Sequence, residues 1–459
     1  MTFTVSASKA INLLSQRTKF CRDIVKPSVR PSVSQSRASN YSAQVSEMAK
    51  LRQFEIFFDK PMPIYQAGEL VTGAVVLGLD EPMKMRALQL LVHGAADVFW
   101  RESSGTGDSK TTHTYSNHES YFEHFIGLWG ATAPGESGND PSHPQGHFTY
   151  QFQFLLPPVL PSSFEIKQGH VRYWVKATIG RSWKFDHNCK RPFTVLSHLD
   201  LNIYQPNILL GLEGRDQKTL CCWCCASGPI SATVRIAKQG YVPGEPIYIN
   251  AKIENNSSRK MRASRVEFKQ VTSCHATNKT NDVTNTILTL QRGEIDAGGT
   301  ECWENVQLVV PPLPPSYLVG CRIIDIRYAL HFVVDPSGPA FDLEVPLEVI
   351  IGTIPLQQMW SNFSTNTSYG MGAESTPMVA MPTAPTQGPS HANPSALTAP
   401  TPTYSQSVFG KSRITDDQDN LQYTSGELDY APFYAYYNFN QGADQEQCQQ
   451  PPQAKTSRE

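Results

Sequence analysis

The sequence predicts an all-β protein of two tandem antiparallel β-sandwich domains followed by a disordered C-terminal tail. The first observation is a long internal repeat, in which Tyr65–Glu69 and Lys84–Ala87 recur in the same register as Tyr241–Glu245 and Lys260–Ala263. A repeat unit of this length is a domain and not a solenoid element. The second observation is an apolar period of two, which is typical of strands with one buried face. The third is a change to polar, proline-rich composition after residue 356.

Bulk composition limits the classes of function. The 459 residues carry a formal net charge of −2, with a pI near 6.6, so the sequence predicts no nucleic-acid partner. It contains no apolar run near the ~18 residues of a membrane span, and no secretory signal is visible. The ten cysteines are compatible with a reducing compartment. We therefore expect a cytoplasmic protein.

Residues 1–50 leave two interpretations open. The segment is rich in serine, lysine and arginine, and Asp23 and Glu47 are its only acidic residues. This composition is typical of a mitochondrial transit peptide, and import through residues 1–47 would give a mitochondrial protein. The interpretation we prefer is a disordered N-terminal extension, with the first domain beginning near Met48.

The first sandwich is predicted over residues 51–200 and the second over 226–356, with 201–225 as a linker. Alternating apolar residues mark their strands, as in Phe148–Phe154 of the first domain and Ile324–Val334 of the second. Gly-Glu, Pro-Gly and Pro-Pro pairs punctuate the strands at turn positions. Several short strands in each domain, with turn signals between them, indicate antiparallel sandwiches.

Groups that could bind a metal are weak candidates. Five histidines lie in an expected insertion within residues 100–147: His113, His118, His124, His143 and His147. Their glycine- and serine-containing surroundings predict a polar loop and not the rigid frame of a metal site. We interpret Cys221–Cys225 as a cysteine-rich strand edge, with palmitoylation or metal binding as alternatives. We find no catalytic constellation and expect a protein without enzymatic activity, cofactor or metal.

Residues 357–459 are predicted to form a disordered tail with short linear motifs. Pro, Ser, Thr, Gln, Asn and Ala dominate between Ser361 and Ser407. Such a segment cannot bury enough apolar surface to offset the entropy lost on ordering. An island of six aromatic residues follows: Tyr430, Phe433, Tyr434, Tyr436, Tyr437 and Phe439. Aromatic islands in a disordered tail are typical of short binding motifs.

Several segments resemble the α-arrestin family of arrestin domain-containing proteins. They include Phe54–Asp59, Tyr65–Glu69 and Leu160–Phe164 in the first domain, and Gly240–Glu245 and Ile351–Leu356 in the second. The resemblance implies two arrestin-type, immunoglobulin-like sandwiches in a cytosolic adaptor. Such adaptors engage cytoplasmic segments of membrane receptors or transporters, and recruit WW-domain HECT-type ubiquitin ligases through Pro-Pro-x-Tyr motifs in the tail. The resemblance also implies peripheral association with endosomes or the plasma membrane.

The tail contains two imperfect forms of the ligase motif. Thr401 replaces the first proline before Pro402 and Tyr404, and Ala431 replaces it before Pro432 and Tyr434. A WW domain holds the prolines in aromatic grooves and the tyrosine in a pocket, so each replacement removes one stacked ring. By the resemblance, these four proline and tyrosine residues are the expected ligase contacts. Their spacing suits a tandem WW ligase that gains affinity by avidity.

The one complete Pro-Pro-x-Tyr match is Pro314-Pro315-Ser316-Tyr317. Its counterpart in the first domain is Pro161–Phe164, so the repeat favours a structural turn that leads into a strand. A ligase contact through Pro314, Pro315 and Tyr317 is the weaker interpretation.

A basic stretch late in the first domain is a candidate for cargo or phosphate contact. It comprises Lys176, Arg181, Lys184, Lys190 and Arg191. These side chains could meet a phosphorylated segment or anionic lipid. A solvated strand edge studded with lysines is the alternative.

The resemblance also bears on thioredoxin. One family member inhibits thioredoxin through a mixed disulfide, but the corresponding position here is Ser257, which cannot form one. The resulting hypothesis is an adaptor that links membrane cargo to WW-domain ubiquitin ligases for ubiquitin-dependent endocytosis and trafficking. Two alternatives stay open: a ligase-independent endosomal scaffold of retromer-like type, and a mitochondrially targeted arrestin-fold protein.

Overall fold

The fold was obtained as a computed structural model, which describes most of the chain. The described residues are 50–105, 110–130, 140–182, 184–204, 207–220, 228–358, 401–415 and 422–439. Nearly all of their regular structure is β-strand. Residues 1–49, which hold almost all of the expected N-terminal extension or transit peptide, and the segment Cys221–Cys225 lie outside the described residues.

The first domain is a sandwich of two sheets. Its strands are β1 (Leu51–Phe58), β2 (Ile64–Gln66), β3 (Leu70–Leu79), β4 (Met83–Lys84), β5 (Ala87–Ser104), β6 (Thr111–Gly130), β7 (Ser142–His143), β8 (Gly146–Leu155), β9 (Phe164–Ile166), β10 (Gly169–Gly180) and β11 (His187–Leu196). One sheet has the order β1-β3-β8, and the other has the order β2-β11-β10-β5-β6, with β9 on β10. β4 and β7 form a separate two-stranded ladder.

The second domain repeats this arrangement but begins earlier than expected. Its strands are β12 (Leu212–Thr219), β13 (Pro229–Ile236), β14 (Gly240–Tyr241), β15 (Pro246–Asn255), β16 (Met261–His275), β17 (Thr280–Arg292), β18 (Thr300–Val309), β19 (Ile324–Pro336) and β20 (Leu343–Ile351). The earlier start arises because β12 lies within the expected linker and belongs to the sheet β12-β13-β15-β18. The sheet order β14-β20-β19-β16-β17 matches β2-β11-β10-β5-β6, and in both the short first strand runs parallel to its neighbour. The prediction of two tandem β-sandwiches from the repeat is confirmed.

The repeated sequence segments form equivalent turns. In each Tyr-x-x-Gly-Glu copy the glutamate side chain accepts a backbone N–H inside its own turn, Gln66 for Glu69 and Val242 for Glu245. Each turn also holds a lysine ammonium over the tyrosine ring, at 4.5 Å in the first domain and 4.7 Å in the second. The repeated sequence therefore forms the same turn, with the same contacts, in both domains.

Short 3-10 helices and polar contacts join the two domains. Leu201–Tyr204 and Asn207–Leu209 are 3-10 helices within the expected linker, and a third spans Ser316–Leu318. Across the junction, Glu119 on β6 accepts hydrogen bonds of 2.8 Å from both the backbone N–H and the Nε of Arg322.

Part of the tail is folded, which differs from the expected disorder of residues 357–459. Its strands are β21 (Thr403–Gln406), β22 (Ser412–Arg413), β23 (Thr424–Gly426), β24 (Asp429–Tyr430) and β25 (Phe433–Tyr436). β21 pairs with β25, β22 pairs with β24, and β23 pairs with β11 of the first domain. Order is possible here because the body supplies a strand edge and buried contacts that the tail lacks by itself.

The described residues contain no helix that is long and apolar enough to cross a membrane.

Candidate functional site

The folded tail packs along the seam between the first domain, the linker and the second domain. β23 runs parallel to the first half of β11, whose second half pairs with β2. The aromatic residues of β25 and its continuation enter two small apolar clusters. One cluster contains Ile64 and Leu196 of the first domain. The other contains Leu201 of the linker with Val242 and Leu356 of the second domain. The tail thus connects three separate parts of the chain.

Tyr434 anchors the tail to the first domain. Only 1 % of the residue is exposed, and it packs against Ile64 and Leu196. Its hydroxyl donates a hydrogen bond of 3.0 Å to the backbone oxygen of Ser163. Burial raises the pKa of Tyr434 well above its ordinary value, so the hydroxyl remains a neutral donor. This tyrosine belongs to the second expected ligase motif.

Tyr430 and Tyr437 extend the contact on either side. The Tyr430 hydroxyl lies 3.1 Å from the hydroxyl of Thr194 on β11, and burial raises its pKa. The Tyr437 hydroxyl donates to the backbone oxygen of Thr353 at 2.7 Å, and its amide donates to the oxygen of Pro243 at 3.0 Å. Burial raises the pKa of Tyr437 to about 12. The three tyrosines therefore fasten one tail segment to both domains.

Two glycines permit close approach of the tail backbone to the body. Gly426 has φ +114°, and a Cβ there would collide with the backbone oxygen of Lys190. Gly244 has φ +92°, and a Cβ there would collide with the backbone of Tyr437. Gly68, the repeat counterpart of Gly244, has φ +80° but meets only ordinary contacts with Pro158. The tail contact adds a steric demand to Gly244 that its counterpart does not have.

Polar side chains add further contacts between tail and body. The Ser412 hydroxyl donates to Glu165 Oε2 at 2.6 Å, and the same carboxylate pairs with Arg172 at 2.6 Å. The backbone amide of Asn188 donates to the oxygen of Tyr423 at 2.8 Å. The docked tail is therefore held by hydrogen bonds along its length as well as by apolar burial.

The first expected ligase motif lies against the second. Tyr404 on β21 is opposite Ala435 on β25. Pro402 and Tyr404 are half-buried, whereas Pro432 is buried. The two motifs thus occupy neighbouring strands of one small ladder.

The complete Pro-Pro-x-Tyr match forms a turn of the second domain. Pro314 and Pro315 are buried, and Tyr317 is half-buried with φ +68°. The hydroxyl of Tyr328 donates to the oxygen of Pro314 at 2.8 Å, as the hydroxyl of Tyr173 does to Pro161 in the first domain. Both prolines are therefore covered by the fold.

The five basic residues late in the first domain do not form one exposed surface. Lys190 is 0 % exposed and its ammonium lies 4.1 Å from the centre of the Trp174 ring. Lys176, its register partner, lies over the same ring at 5.5 Å. Arg181 is buried and bonds to the backbone oxygen of Phe185 at 2.9 Å. Lys184 is exposed on the turn between β10 and β11.

Arg191 is the member of this group that faces a groove. Its Nη1 donates to the oxygen of Ile56 at 2.7 Å, and its Nε lies 3.6 Å from Glu427 of the tail. The groove has a volume of about 660 Å³ and runs between β1 and the end of β23. Within the described residues, β1 pairs only with β3, so its other edge borders this groove.

The five histidines lie on strands and not in the polar loop that the sequence predicted: three are on β6, one is on β7 and one is on β8. His143 is buried and bonds to the Tyr150 hydroxyl at 2.6 Å. Asp97 lies between His118 and His170, and although burial opposes it, their hydrogen bonds lower the pKa of Asp97 to about 2. In the part of the chain that the structure describes, no group of histidine, cysteine or acidic side chains could hold a metal ion.

Ser257, at the position that the resemblance relates to thioredoxin chemistry, is also structural. It is buried, and its hydroxyl donates to Asn255 Oδ1 at 2.6 Å. Among the described cysteines, Cys189 and Cys274 are buried and Cys302 is exposed.

The sequence indicated the tail aromatics but not their partners. In the sequence, Tyr430, Tyr434 and Tyr437 belong to an aromatic island. Such an island is typical of a short motif that binds another protein, not of one that packs against its own chain. Their spacing of four and then three residues is a helical period and not the period of two of a strand, so it indicates neither β25 nor burial against Ser163 or Thr353. Gly426 by itself gives no indication in the sequence that the tail backbone approaches the body closely there.

Comparison with known families and proteins agrees with the fold. Residues 54–202 match the family described as "Arrestin (or S-antigen), N-terminal domain", and residues 226–356 match "Arrestin (or S-antigen), C-terminal domain".

Similar proteins share most of the chain. Arrestin domain-containing protein 17 of Caenorhabditis elegans is 29% identical over 441 residues, which is 85% of this chain and 100% of that protein. Arrestin domain-containing protein 4 of Mus musculus is 34% identical over 65% of this chain and 71% of its own length. Thioredoxin-interacting protein of Homo sapiens is 29% identical over 70% of this chain and 80% of its own length.

Proposed function

The chain belongs to the α-arrestin family, and we propose that it links membrane receptors or transporters to WW-domain HECT-type ubiquitin ligases. A general adaptor role follows from the family. The proposal adds two partners to this general role, the membrane cargo and the ubiquitin ligase. Its consequence is ubiquitin-dependent endocytosis and trafficking of the bound cargo, from a cytoplasmic protein that associates with endosomes or the plasma membrane.

The observation that carries the ligase arm is the pair of tail motifs. Pro402 with Tyr404 and Pro432 with Tyr434 have the same Pro-x-Tyr spacing. A WW domain grips a polyproline II turn and inserts the tyrosine into a pocket. Thr401 and Ala431 each remove one proline ring, with an expected loss on the order of 1 kcal/mol per motif. A tandem WW ligase offsets that loss, because the second motif binds at high effective concentration once the first is bound.

The groove beside β1 supports the cargo arm. An edge strand presents unpaired backbone N–H and C=O groups to an extended peptide. β1 has such an edge, on which Arg191 already bonds to the oxygen of Ile56, and the Arg191 cation is partly neutralised by Glu427. We assign this groove to an extended cytoplasmic segment of a receptor or transporter.

One observation favours the ligase-independent scaffold as a second candidate. Tyr434 and Pro432 are buried in the fold, so both have a structural use that requires no ligase. A retromer-like scaffold would retain the docked tail and would not bind WW domains. The mitochondrial alternative depends on residues 1–47, which lie outside the described part of the chain.

The ligase arm is tested with a tail fragment, residues 394–445, and a tandem WW protein. Binding is measured for the parent fragment, Tyr404→Ala, Tyr434→Ala and the double change. The proposal expects low-micromolar binding by the parent, weaker binding by each single variant because avidity is lost, and none by the double variant. Binding of the parent no stronger than that of the double variant would reject the ligase arm and favour the scaffold.

A further inference from the structure

The two ligase motifs of the tail are paired with each other in the docked state. From this we propose that tail docking and tandem WW binding exclude each other, so that the ligase engages only a tail released from the body. This inference rests on the proposed ligase function and adds its regulation. It starts from the ladder of β21 and β25, in which Tyr404 faces Ala435 and Ser405 faces Tyr434.

The docked tail buries the residues that a WW domain must contact. Tyr434 has 1 % of its surface exposed and gives its hydroxyl hydrogen to the oxygen of Ser163. Pro432 is buried, and its own oxygen accepts the amide hydrogen of Ser407 at 2.8 Å. A WW domain needs the proline face and the whole tyrosine ring. Neither is available while these contacts persist.

The two motifs also lie too close together for two WW domains. Neighbouring strands lie about 4.8 Å apart, and Tyr404 and Tyr434 are on the two paired strands β21 and β25. Two WW domains are far wider than this separation and cannot occupy both strands at once. Tandem engagement therefore requires β21 and β25 to separate, whereas the avidity that offsets the missing prolines requires tandem engagement.

Release of the tail also changes the contacts of the body. Tyr434 and its neighbours bond to the first domain, and Tyr437 bonds to Thr353 and Pro243 of the second. Separation of β25 removes both sets of contacts. Ligase binding therefore removes a connection between the two arrestin domains.

The expected effect on affinity follows from the population of released tail. If one molecule in about ten or fewer has a released tail, the full chain binds at least about tenfold more weakly than the free fragment. A variant that opposes docking without changing either motif brings the full chain toward the affinity of the fragment.

The repeat supplies a matched pair of variants in the body. Gly244→Ala places a Cβ against the backbone of Tyr437, whereas Gly68→Ala imposes the same positive-φ strain without any tail contact. In the full chain, Gly244→Ala is expected to strengthen tandem WW binding about tenfold or more, and Gly68→Ala to leave it at the parent value. Thermal unfolding of both variants shows whether the domains remain folded.

A second pair of variants lies in the tail, outside both motifs. This pair tests mutual exclusion if Gly244→Ala does not fold. Gly426→Ala places a Cβ against the oxygen of Lys190, whereas Gly410→Ala, at φ +83°, meets no atom within 4 Å. We expect tighter WW binding for Gly426→Ala alone.

The outcomes separate the two proposals. A fragment that binds, a full chain that binds more weakly, and recovery in the docking variants alone support mutual exclusion. A full chain that binds as tightly as the fragment, unaffected by any of these variants, overturns mutual exclusion and leaves the ligase function intact. A fragment that does not bind overturns the ligase function, and the regulation with it.

Discussion

Truncation of Tyr434 gives a sharp test of the docked tail. Tyr434→Ala removes a ring that is 1 % exposed and leaves the oxygen of Ser163 without its donor. Replacement of a buried aromatic residue by alanine costs about 3–5 kcal/mol. Because about 1.4 kcal/mol corresponds to a tenfold change in equilibrium, the open population of the tail should rise by roughly a hundredfold to several thousandfold, up to complete opening.

Limited proteolysis with chymotrypsin measures this population. The enzyme cuts after aromatic residues, and the segment retains Tyr430, Phe433, Tyr436 and Tyr437 after the change. When opening is fast relative to cleavage, the cleavage rate follows the open population. We expect rapid cleavage within 430–437 in Tyr434→Ala while both sandwiches stay intact.

Two control variants refine the test. Tyr434→Phe keeps the ring and loses the hydrogen bond, so cleavage should rise by roughly tenfold, for a cost of about 1–2 kcal/mol. Val408→Ala truncates a tail side chain that is exposed, and cleavage should stay near the parent rate. Equal cleavage rates for the parent and Tyr434→Ala would show that Tyr434 does not hold the tail on the body.

Three further predictions concern the body. Tyr328→Phe should lower the free energy of unfolding in urea by about 2–3 kcal/mol, against about 1 kcal/mol for Tyr173→Phe, because the hydroxyl of Tyr328 also serves a buried glutamine amide. Iodoacetamide, with peptide mapping, should modify exposed Cys302 well before Cys189, whose thiol pKa burial raises to about 11. Asp97 has a pKa of about 2 in the fold, below its ordinary value of about 3.9. Its contribution to stability should therefore be complete above pH 4 and lost as the pH falls toward 2. An NMR titration of the Asp97 carboxyl carbon checks this, and a midpoint at the ordinary pKa would contradict it.

The sandwich fold was predictable because its signals are local and repeated. Alternation along a strand such as Ile324–Pro336 reflects one buried face directly. The Tyr-x-x-Gly-Glu turn closes on itself, with Glu69 and Glu245 each bonded within three residues. Two copies of such a signal in register were enough to define two related domains.

The tail was not predictable for a physical reason. Its composition is that of a chain that cannot form its own core. Order comes from partners far away in sequence, since Tyr434 bonds to Ser163 and Tyr437 bonds to Thr353. No local period or turn residue reports such contacts.

The basic stretch illustrates the same limit inside a domain. Lys176 and Lys190 are register partners on adjacent strands, and both ammonium groups lie over the ring of Trp174. The sequence shows their charge but not that both ammonium groups lie over one tryptophan ring. Arg191, on the opposite face of β11 from Lys190, is the residue of this group that reaches the groove.

In the proposed regulation, the ligase arm and the tail contact use the same residues. Hydrogen–deuterium exchange of the full chain, with and without saturating tandem WW protein, tests it at the body side of the contact. The amide of Asn188, which donates to the oxygen of Tyr423, is the reporter. Mutual exclusion predicts slow exchange in peptides spanning Asn188 for the free chain and faster exchange when the WW protein is bound. Binding of the WW protein with unchanged protection at Asn188 would contradict it.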